Sequence, residues 1–259
     1  MVTIDLSSKT GLVFGVANQK SLAWAISRTL HGAGASLAFA YQGERLKERV
    51  EGLVREVGGK CPLYECDVTK DDDIAATCAR AGKDLGKIDY LVHSVAFARK
   101  EDLEGDFLAT SRDGFRTALD ISAYSLIAIA RAAAPYMETD GGSIVTLTYM
   151  ASGRVVPSYN VMGTAKAALE HAVRQLAYEL GPKRIRVNAI SAGPVSTLSA
   201  RGISGFLDML HVSRDKAPLR RNIEADEVGR AALFLLSDLG SGVTGEVLFV
   251  DAGYNIMGT

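Results

Sequence analysis

The chain has 259 residues, of which 47% are hydrophobic and 23% are charged, and its 29 basic residues nearly balance 30 acidic ones. This composition is ordinary for a globular protein with one large α/β domain or two small ones. The near-zero net charge argues against nucleic acid or a membrane surface as the main partner. The first nine residues lack the basic and apolar regions of a signal sequence, and no run approaches the roughly 20 apolar residues of a bilayer span. We therefore expect a cytoplasmic protein.

The three cysteines, Cys61, Cys66 and Cys78, lie close together in the sequence. Their number is odd, and neither a fourth ligand nor a nearby histidine completes a zinc site. We expect reduced thiols that are packed in the core or exposed at the surface, and no bound metal.

Short apolar runs alternate with amphipathic stretches along the first half of the chain. The strands are predicted at 10–17, 35–41, 62–68 and 88–95, and the helices at 21–34, 46–57 and 72–85, with Ser21 as the N-cap of the first helix. Nearly continuous apolar runs are typical of strands that are buried on both faces. The alternation implies parallel strands joined by right-handed helical crossovers.

The same rhythm continues in the second half, with strands predicted at 142–148, 185–191 and 247–251 and helices at 115–137, 159–180 and 225–236. No linker, repeat or charge block divides the chain. The sequence therefore predicts one domain over residues 1–259, an α/β fold with a doubly wound parallel sheet of seven strands of the Rossmann type.

One long stretch, 193–222, lacks a clear period, and unstructured segments of this length are commonly binding loops or lids. Within it we predict a substrate-binding lid at about 195–215. Gly202 and Gly205 loosen this segment, and an apolar face is formed by Ile203, Phe206, Leu207 and Met209. The lid is expected to be mobile without ligand and to order over a bound substrate.

Tyr159 and Lys166 lie seven residues apart in a stretch of good helix formers. At about 100° per residue, this spacing returns to nearly the same helix face with a rise of roughly 10 Å. A phenol and an ammonium could thus line one groove. Taken alone, the pair is equally compatible with an amphipathic helix that carries a stray tyrosine.

Ligands of open parallel sheets bind beyond the carboxyl ends of the strands. The first strand ends in Gly15, and the turn to Ser21 would present backbone amides to a pyrophosphate. This turn lacks the second and third glycines of GxGxxG, so an ordinary strand–helix turn remains an alternative. Gln42, Asp67 and Ser94 close the next three strands, where an adenosine would need groups for its ribose, its amino group and its phosphates.

Several stretches together carry a family resemblance: Gly15-x5-Ser21-x-Ala23, Tyr41-Gln42, Cys66-Asp67-Val68, His93-Ser94-Val95, Tyr149, Tyr159-x6-Lys166, Arg186 to Pro194 and Gly245-Glu246-Val247. They resemble the short-chain dehydrogenase/reductase superfamily and, within it, the bacterial enoyl-acyl-carrier-protein reductases. The resemblance spans about residues 10 to 253. It implies NADH-dependent reduction of the 2,3 double bond of trans-2-enoyl thioesters on acyl carrier protein, in fatty acid elongation, by a homotetramer.

The resemblance also assigns roles to residues. It implies Tyr149, Tyr159 and Lys166 as catalytic residues. It implies contacts with NADH or NAD for Gly15, Ser21, Leu22, Gln42, Asp67, Val68, Ser94, Val95, Lys166, Ala192, Gly193, Pro194, Val195 and Thr197. It implies substrate contacts for Ala98, Tyr149, Tyr159, Met162 and Phe206.

The spacing Tyr-x6-Lys departs from most members of the superfamily, which carry Tyr-x3-Lys. Here Met162 occupies that tyrosine position and cannot donate a proton. A ketoreductase needs its phenol at the oxygen of the carbon that accepts hydride, whereas an enoyl thioester accepts hydride at C3 while charge develops on the C1 oxygen. Moving the phenol three residues along a helix shifts it by about 4.5 Å, which is roughly that span.

Two alternatives stay open at this point: another reductase or dehydrogenase of the superfamily that acts on a carbonyl or alkene, and a non-catalytic NAD-binding regulatory protein. Retention of both Tyr159 and Lys166 argues against the second. NADH is expected over NADPH because the second strand ends in Tyr41-Gln42-Gly43-Glu44 without a basic pair, although Arg45 follows. Pairing surfaces for a homotetramer are expected at 123–134 and 247–250.

The lid departs from the family pattern, because 203–210 lacks the basic residues that would meet an acidic carrier protein. Other cations nearby could supply this charge instead: Arg201, Arg214, Lys216, Arg220 and Arg221.

Overall fold

A computed structural model describes residues 4–56, 61–197 and 205–258. Seven strands form one parallel sheet: β1 Thr10–Phe14, β2 Ser36–Tyr41, β3 Leu63–Glu65, β4 Tyr90–His93, β5 Gly142–Thr148, β6 Ile185–Ala192 and β7 Val247–Val250. Their order is β3-β2-β1-β4-β5-β6-β7, and every neighbouring pair is parallel. The predicted doubly wound seven-stranded sheet is confirmed.

The helices lie on both faces of the sheet: α1 Leu22–Gly32, α2 Glu44–Glu56, α3 Asp71–Leu85, α4 Lys100–Leu103, α5 Arg112–Leu119, α6 Ser125–Ala133, α7 Asn160–Leu180, α8 Phe206–Lys216 and α9 Ala225–Leu236. Alternate strand residues serve two cores. Leu12 packs with the core that contains residues of α3, α6 and α7, whereas Val13 packs with residues of α1, α2 and α9. This double burial explains why the strands read as continuous apolar runs.

The strand order reverses between β1 and β4, which are neighbours although β2 and β3 lie between them in the sequence. At such a switch point the connections leave in opposite directions, and a crevice opens beyond the carboxyl ends. The fold therefore directs the ends of β1, β4, β5 and β6 toward one place.

The helix predicted at 115–137 forms as one helical run, Arg112–Tyr136, but the run is not α-helical throughout. A wide π-type turn at Asp120–Tyr124 separates α5 from α6, and a 3₁₀ turn at Ala134–Tyr136 follows α6. The Ser125 hydroxyl donates to the carbonyl oxygen of Ile121 (2.6 Å), and the Ser122 hydroxyl contacts the backbone N and O of Phe97 at 2.9 and 3.1 Å. The Ser122 bonds to Phe97 are tertiary contacts of the wide turn, whereas the Ser125 bond lies within the helical run, and hydrophobic periodicity carries no trace of either.

A fully buried histidine supports the wide turn from the sheet. His93 lies between two hydroxyls, with Nδ1 2.8 Å from Thr146 Oγ1 and Nε2 2.8 Å from Ser125 Oγ. Because Ser125 gives its proton to Ile121, Nε2 carries the imidazole proton and Nδ1 accepts from Thr146. Burial, assisted by the charge of Lys166, lowers the His93 pKa to about 3. The ring is therefore neutral at physiological pH.

The cysteines and the most apolar helical run both lie largely within the core of the fold. The three cysteines are free thiols, and burial raises the pKa of Cys66 to about 11 and that of Cys78 to about 12. Among the described residues, one helical run, Arg112–Tyr136, is long and apolar enough to span a bilayer by length and composition alone. Its most apolar window is 56% buried inside the fold, as expected of a core helix.

Candidate active site

A cavity of about 680 Å³ opens at the carboxyl end of the sheet. The three predicted catalytic residues all line it. So do most of the other residues singled out from the sequence: Gly15, Ser21, Leu22, Ser94, Val95, Ala98, Met162, Ala192, Gly193, Pro194, Val195, Thr197 and Phe206. The structure thus brings together positions that span almost two hundred residues of sequence.

Gln42, Asp67 and Val68 do not line this cavity but follow the ends of β2 and β3. The Asp67 carboxylate accepts hydrogen bonds from the Thr69 amide and hydroxyl and from Gln42. Burial pushes the Asp67 pKa upward, but these hydrogen bonds and the nearby Lys70 outweigh it and lower the pKa. A negative carboxylate therefore stands beside Gln42 at this edge of the site.

Two backbones approach closely at the end of β1. Gly15 has a φ of +96°, and an added Cβ would overlap the carbonyl oxygen of Ser94 at the end of β4. Only glycine fits both the angle and the space. The ends of β1 and β4 can therefore lie close together, and a flat or phosphate-bearing ligand could approach their backbones.

Ser21 stands at the N-cap position of α1, as predicted, but its side chain does not cap the helix. The hydroxyl instead accepts hydrogen bonds from the amides of Ala17 and Asn18, both at 3.0 Å. The turn after β1 is long enough to curl back over the start of α1, which brings its own amides to the hydroxyl. The predicted capping interaction is wrong, and Ser21 shapes the turn itself.

Lys166 projects from α7 into the cavity and is only 5% exposed. Its ammonium donates to the carbonyl oxygen of Leu147 in β5 at 2.8 Å. Burial lowers the Lys166 pKa to about 8, although the charge of Glu170 opposes this shift. Glu170 is itself held by the Thr148 hydroxyl at 2.8 Å.

Tyr159 and Tyr149 pack against each other, with ring centroids 5.0 Å apart and planes inclined by 57°. Tyr159 immediately precedes α7, and its neighbours Ser158 and Asn160 have φ of +62° and +37°. Burial raises the pKa of Tyr159, and it raises that of Tyr149 to about 12. Both phenols therefore keep their protons at neutral pH and can act as donors.

Met162 lies one turn after Tyr159 and also faces the cavity. Its sulfur is 3.7 Å from the Ser122 hydroxyl, which anchors it beneath the wide turn. At the position where most superfamily members would have a phenol, this cavity thus presents a thioether that has no proton to give.

Phe206 and Met209, in the described part of the predicted lid, line the cavity. Phe206, at the start of α8, is 6% exposed, and the sulfur of Met209 is 3.3 Å from the Tyr149 hydroxyl. Residues 198–204 of the predicted lid, including Arg201, Gly202 and Ile203, lie outside the described residues.

The remaining cations that sequence reasoning offered for carrier docking have acidic or carbonyl neighbours. Arg214 pairs with Asp215 at 2.8 Å, and Arg221 pairs with Glu227 at 2.7 Å. Arg220 donates to the Asp215 carbonyl, and Lys216 ends α8 on an exposed turn. Much of the positive charge is thus balanced within the fold.

Sequence reasoning missed several lining residues: Ala17, Ala96, Phe97, Arg99, Lys100, Leu103, Leu147 and Thr148. Leu147 and Thr148 adjoin Tyr149 at the end of β5, so their position offered a signal. The group from 96 to 103 offered little, because α4 is a single turn in an acidic stretch. Within the described ranges, no three His, Cys, Asp or Glu side chains lie close enough to hold a metal ion.

The buried ammonium makes a measurable prediction. The Lys166 pKa is about 8 in the folded chain against an ordinary 10.5, so between these values the unfolded chain holds a proton that the folded chain has released. The free energy of unfolding of the wild type, measured against a Lys166→Met variant, should rise by about 1.4 kcal/mol per pH unit in this window. Urea unfolding of both proteins across that range would test it. A constant difference would show that the ammonium titrates normally.

Comparison with known proteins places the chain in a family. A family model described as enoyl-(acyl carrier protein) reductase matches residues 15–255. The enoyl-[acyl-carrier-protein] reductase [NADH] of Bacillus cereus is 52% identical over 254 residues, which cover 98% of this chain and 99% of that protein. The enoyl-[acyl-carrier-protein] reductase [NADPH] of Staphylococcus aureus is 47% identical over 253 residues, which cover 97% of this chain and 98% of that protein.

The fold comparison agrees. A crystal structure of the Bacillus cereus enoyl-acyl carrier protein reductase with NADP⁺ and indole naphthyridinone matches with a TM-score of 0.96 at 51% identity, covering 98% of this chain and 99% of that one. The family match, the sequence identity and the shared fold all extend over nearly the whole chain, and the chain therefore belongs to the enoyl-acyl-carrier-protein reductase family.

Proposed function

We propose that this protein reduces the 2,3 double bond of trans-2-enoyl thioesters on acyl carrier protein, with NADH, in fatty acid elongation. One observation carries the proposal: the cavity holds Tyr159 and the buried ammonium of Lys166, but presents Met162 at the position nearer the lysine. A proton donor is thus available two turns from the lysine and not one.

The cavity suits a dinucleotide. The close approach of Gly15 to Ser94 leaves no side chain at position 15, and Lys166 supplies a buried cation. The end of β6 and the residues after it also line the cavity, with Ala192, Gly193, Pro194, Val195 and Thr197. When bound, the nicotinamide supplies a hydride to C3 of the substrate. Lys166 would bind the nicotinamide ribose hydroxyls, and Gln42 and Asp67 would meet the adenosine.

Tyr159 would donate a hydrogen bond to the thioester carbonyl oxygen, where negative charge develops as C3 is reduced. A donor aimed at this charge stabilises the transition state more than the ground state. Its raised pKa keeps the proton available at neutral pH. Tyr149, packed on Tyr159 and touching Met209, would shape the acyl pocket as an auxiliary phenol.

The alternative of a ketoreductase requires a donor at the C3 oxygen, and Met162 has none. A non-catalytic NAD-binding protein would not need a protonated phenol beside a buried lysine, because burying both groups costs free energy that binding alone does not require.

Substrate choice and one substitution test the division of labour. Tyr159→Phe should lower turnover by about 10²–10³ while leaving NADH affinity nearly intact, because its hydroxyl is assigned only to the substrate oxygen. Tyr149→Phe should be milder, and Lys166→Ala should chiefly weaken cofactor binding. Steady-state kinetics and cofactor titration would separate these effects.

The wild type should reduce a 2-enoyl thioester and not the matching 3-ketoacyl thioester, and comparable rates on the two would favour the ketoreductase alternative.

NADH is proposed as the preferred cofactor. The end of β2 carries no adjacent basic pair, Lys47 is neutralised by Glu44 at 3.0 Å, and the ionised Asp67 beside Gln42 would repel a 2′-phosphate. Arg45 follows the end of β2 and is exposed, as is Lys70, whose ammonium lies 4.0 Å from the Asp67 carboxylate.

Initial rates with NADH should therefore exceed those with NADPH at equal concentration. The comparison is informative because similar proteins are named for either cofactor. Asp67→Asn should narrow the gap by removing the repulsion, and rates with NADPH that equal or exceed those with NADH would contradict the assignment.

We further propose a homotetramer. Phe115, Tyr124 and Ile127 are exposed apolar residues of α5, the wide turn and α6, and Phe249 is exposed on the edge strand β7. Edge strands and exposed apolar residues are natural sites of symmetric pairing.

Light scattering at micromolar concentration should give four times the chain mass of 27.5 kDa. Ile127→Arg should shift the mass downward, because it places a charge in the proposed interface. A monomeric mass for the wild type would refute this assembly.

Two further proposals concern the lid of the cavity and the location and partner of the protein. A lid at about 195–215 is supported by Phe206 and Met209, which already close one side of the cavity. The balanced charge of the chain supports a cytoplasmic protein whose partner is acyl carrier protein and not nucleic acid or membrane.

A further inference from the structure

One side of the cavity is built from residues 97–105, here called the wall segment, which follows β4 and contains α4. Lys100 and Leu103 of this segment line the cavity. A helix of one turn has too few internal hydrogen bonds to hold its own shape. The wall segment must therefore be fixed by contacts with its neighbours.

Contacts from α5 and the wide turn fix it, among them the ion pair of Arg99 with Asp113. The Ser122 hydroxyl bonds both backbone groups of Phe97, at the first residue of the wall segment. Asp102 is buried with its carboxylate directly over Gly114 in the first turn of α5, where an added Cβ would overlap it. These contacts tie the wall segment to α5 and the wide turn, and the Ser122 hydroxyl also lies 3.7 Å from the sulfur of Met162 in α7.

Asn160 makes the connection to α7. Its side-chain amide donates to the carbonyl oxygen of Leu103 at 3.2 Å and to that of Gly105 at 3.1 Å. Both hydrogens of the amide are thus used on the last turn of α4 and the residues after it. Asn160 directly follows Tyr159, so one residue links the wall segment to the proposed proton donor.

The backbone at this position restricts which residue can do this. Asn160 has a φ of +37°, on the left-handed side that glycine, asparagine and aspartate tolerate best. Glycine has no donors, and aspartate would turn two acceptor oxygens toward two carbonyls. Asparagine alone among the three meets both requirements.

We infer that Asn160 is a positioning residue that fixes the wall segment relative to Tyr159 and so sets the width of the substrate half of the cavity. This rests on the proposed enoyl reductase function. The cofactor half is formed by the ends of β1, β4 and β6 and does not depend on this clamp. Asn160 therefore governs substrate binding without governing cofactor binding.

Kinetics test the functional half of this inference. Asn160→Gly keeps the backbone angle and removes the donors, and Asn160→Asp keeps the shape and reverses the polarity. In both, KM for the enoyl thioester should rise about tenfold, close to the net value of an ordinary hydrogen bond, while kcat and the Kd for NADH change by less than about threefold. Ser158→Gly is the matched control, because Ser158 also has a positive φ but makes no such clamp, and it should behave as the wild type.

Hydrogen exchange tests the structural half without any activity. Amides of the wall segment should exchange faster in both Asn160 variants, and not in Ser158→Gly, while those of β1 and β6 stay unchanged. Unchanged exchange in the wall segment would overturn the inference. So would a rise in the Kd for NADH by the same factor as the rise in KM for the enoyl thioester. A wild type that does not reduce an enoyl thioester would contradict the proposed function, and the exchange comparison would still decide the clamp.

Discussion

The contact between the Lys166 ammonium and the Leu147 carbonyl is the constraint on which the site depends. Burying a charge that is only 5% exposed costs free energy unless a hydrogen-bond partner compensates it. The Leu147 carbonyl is that partner, so the contact holds α7 against the end of β5. Once this point of α7 is fixed, the helical rise fixes Tyr159 two turns earlier. A shift of α7 by one residue would bring the phenol to another height and leave the ammonium without its acceptor.

The parts of the fold that depend on local pattern were predictable. Apolar runs and amphipathic stretches predict all seven strands and their alternation with helices. The spacing of Tyr159 and Lys166 predicts that both side chains line one groove. The parts that depend on tertiary hydrogen bonds were not. The wide turn exists because Ser122, Ser125 and His93 find partners from other elements, and the hydroxyl of Ser21 serves a turn rather than a helix. The wall of the cavity was missed because α4 is too short to leave a period.

The two halves of the cavity are built in different ways. The cofactor half consists mostly of strand ends, whose positions follow from the ladder of the sheet, and its floor needs only the absence of a side chain at Gly15. The substrate half consists of α4, the start of α7 and α8, which the sheet does not hold directly. Differences in substrate among proteins of this fold can therefore arise in the second half without disturbing the first, since function on a shared scaffold resides in the site.

The strand order has a consequence for how the protein acquires its site. β1 pairs with β4 although the β2 and β3 units lie between them in the sequence, and the cavity draws on residues from Gly15 to Met209. Such long-range pairing makes folding slow, and no fragment of the chain contains a binding site of its own. A dinucleotide can therefore bind only the completed fold. At 100 times its dissociation constant it would add about 2.7 kcal/mol to the stability of that fold, so the cell's pool of cofactor also acts to protect the enzyme from unfolding.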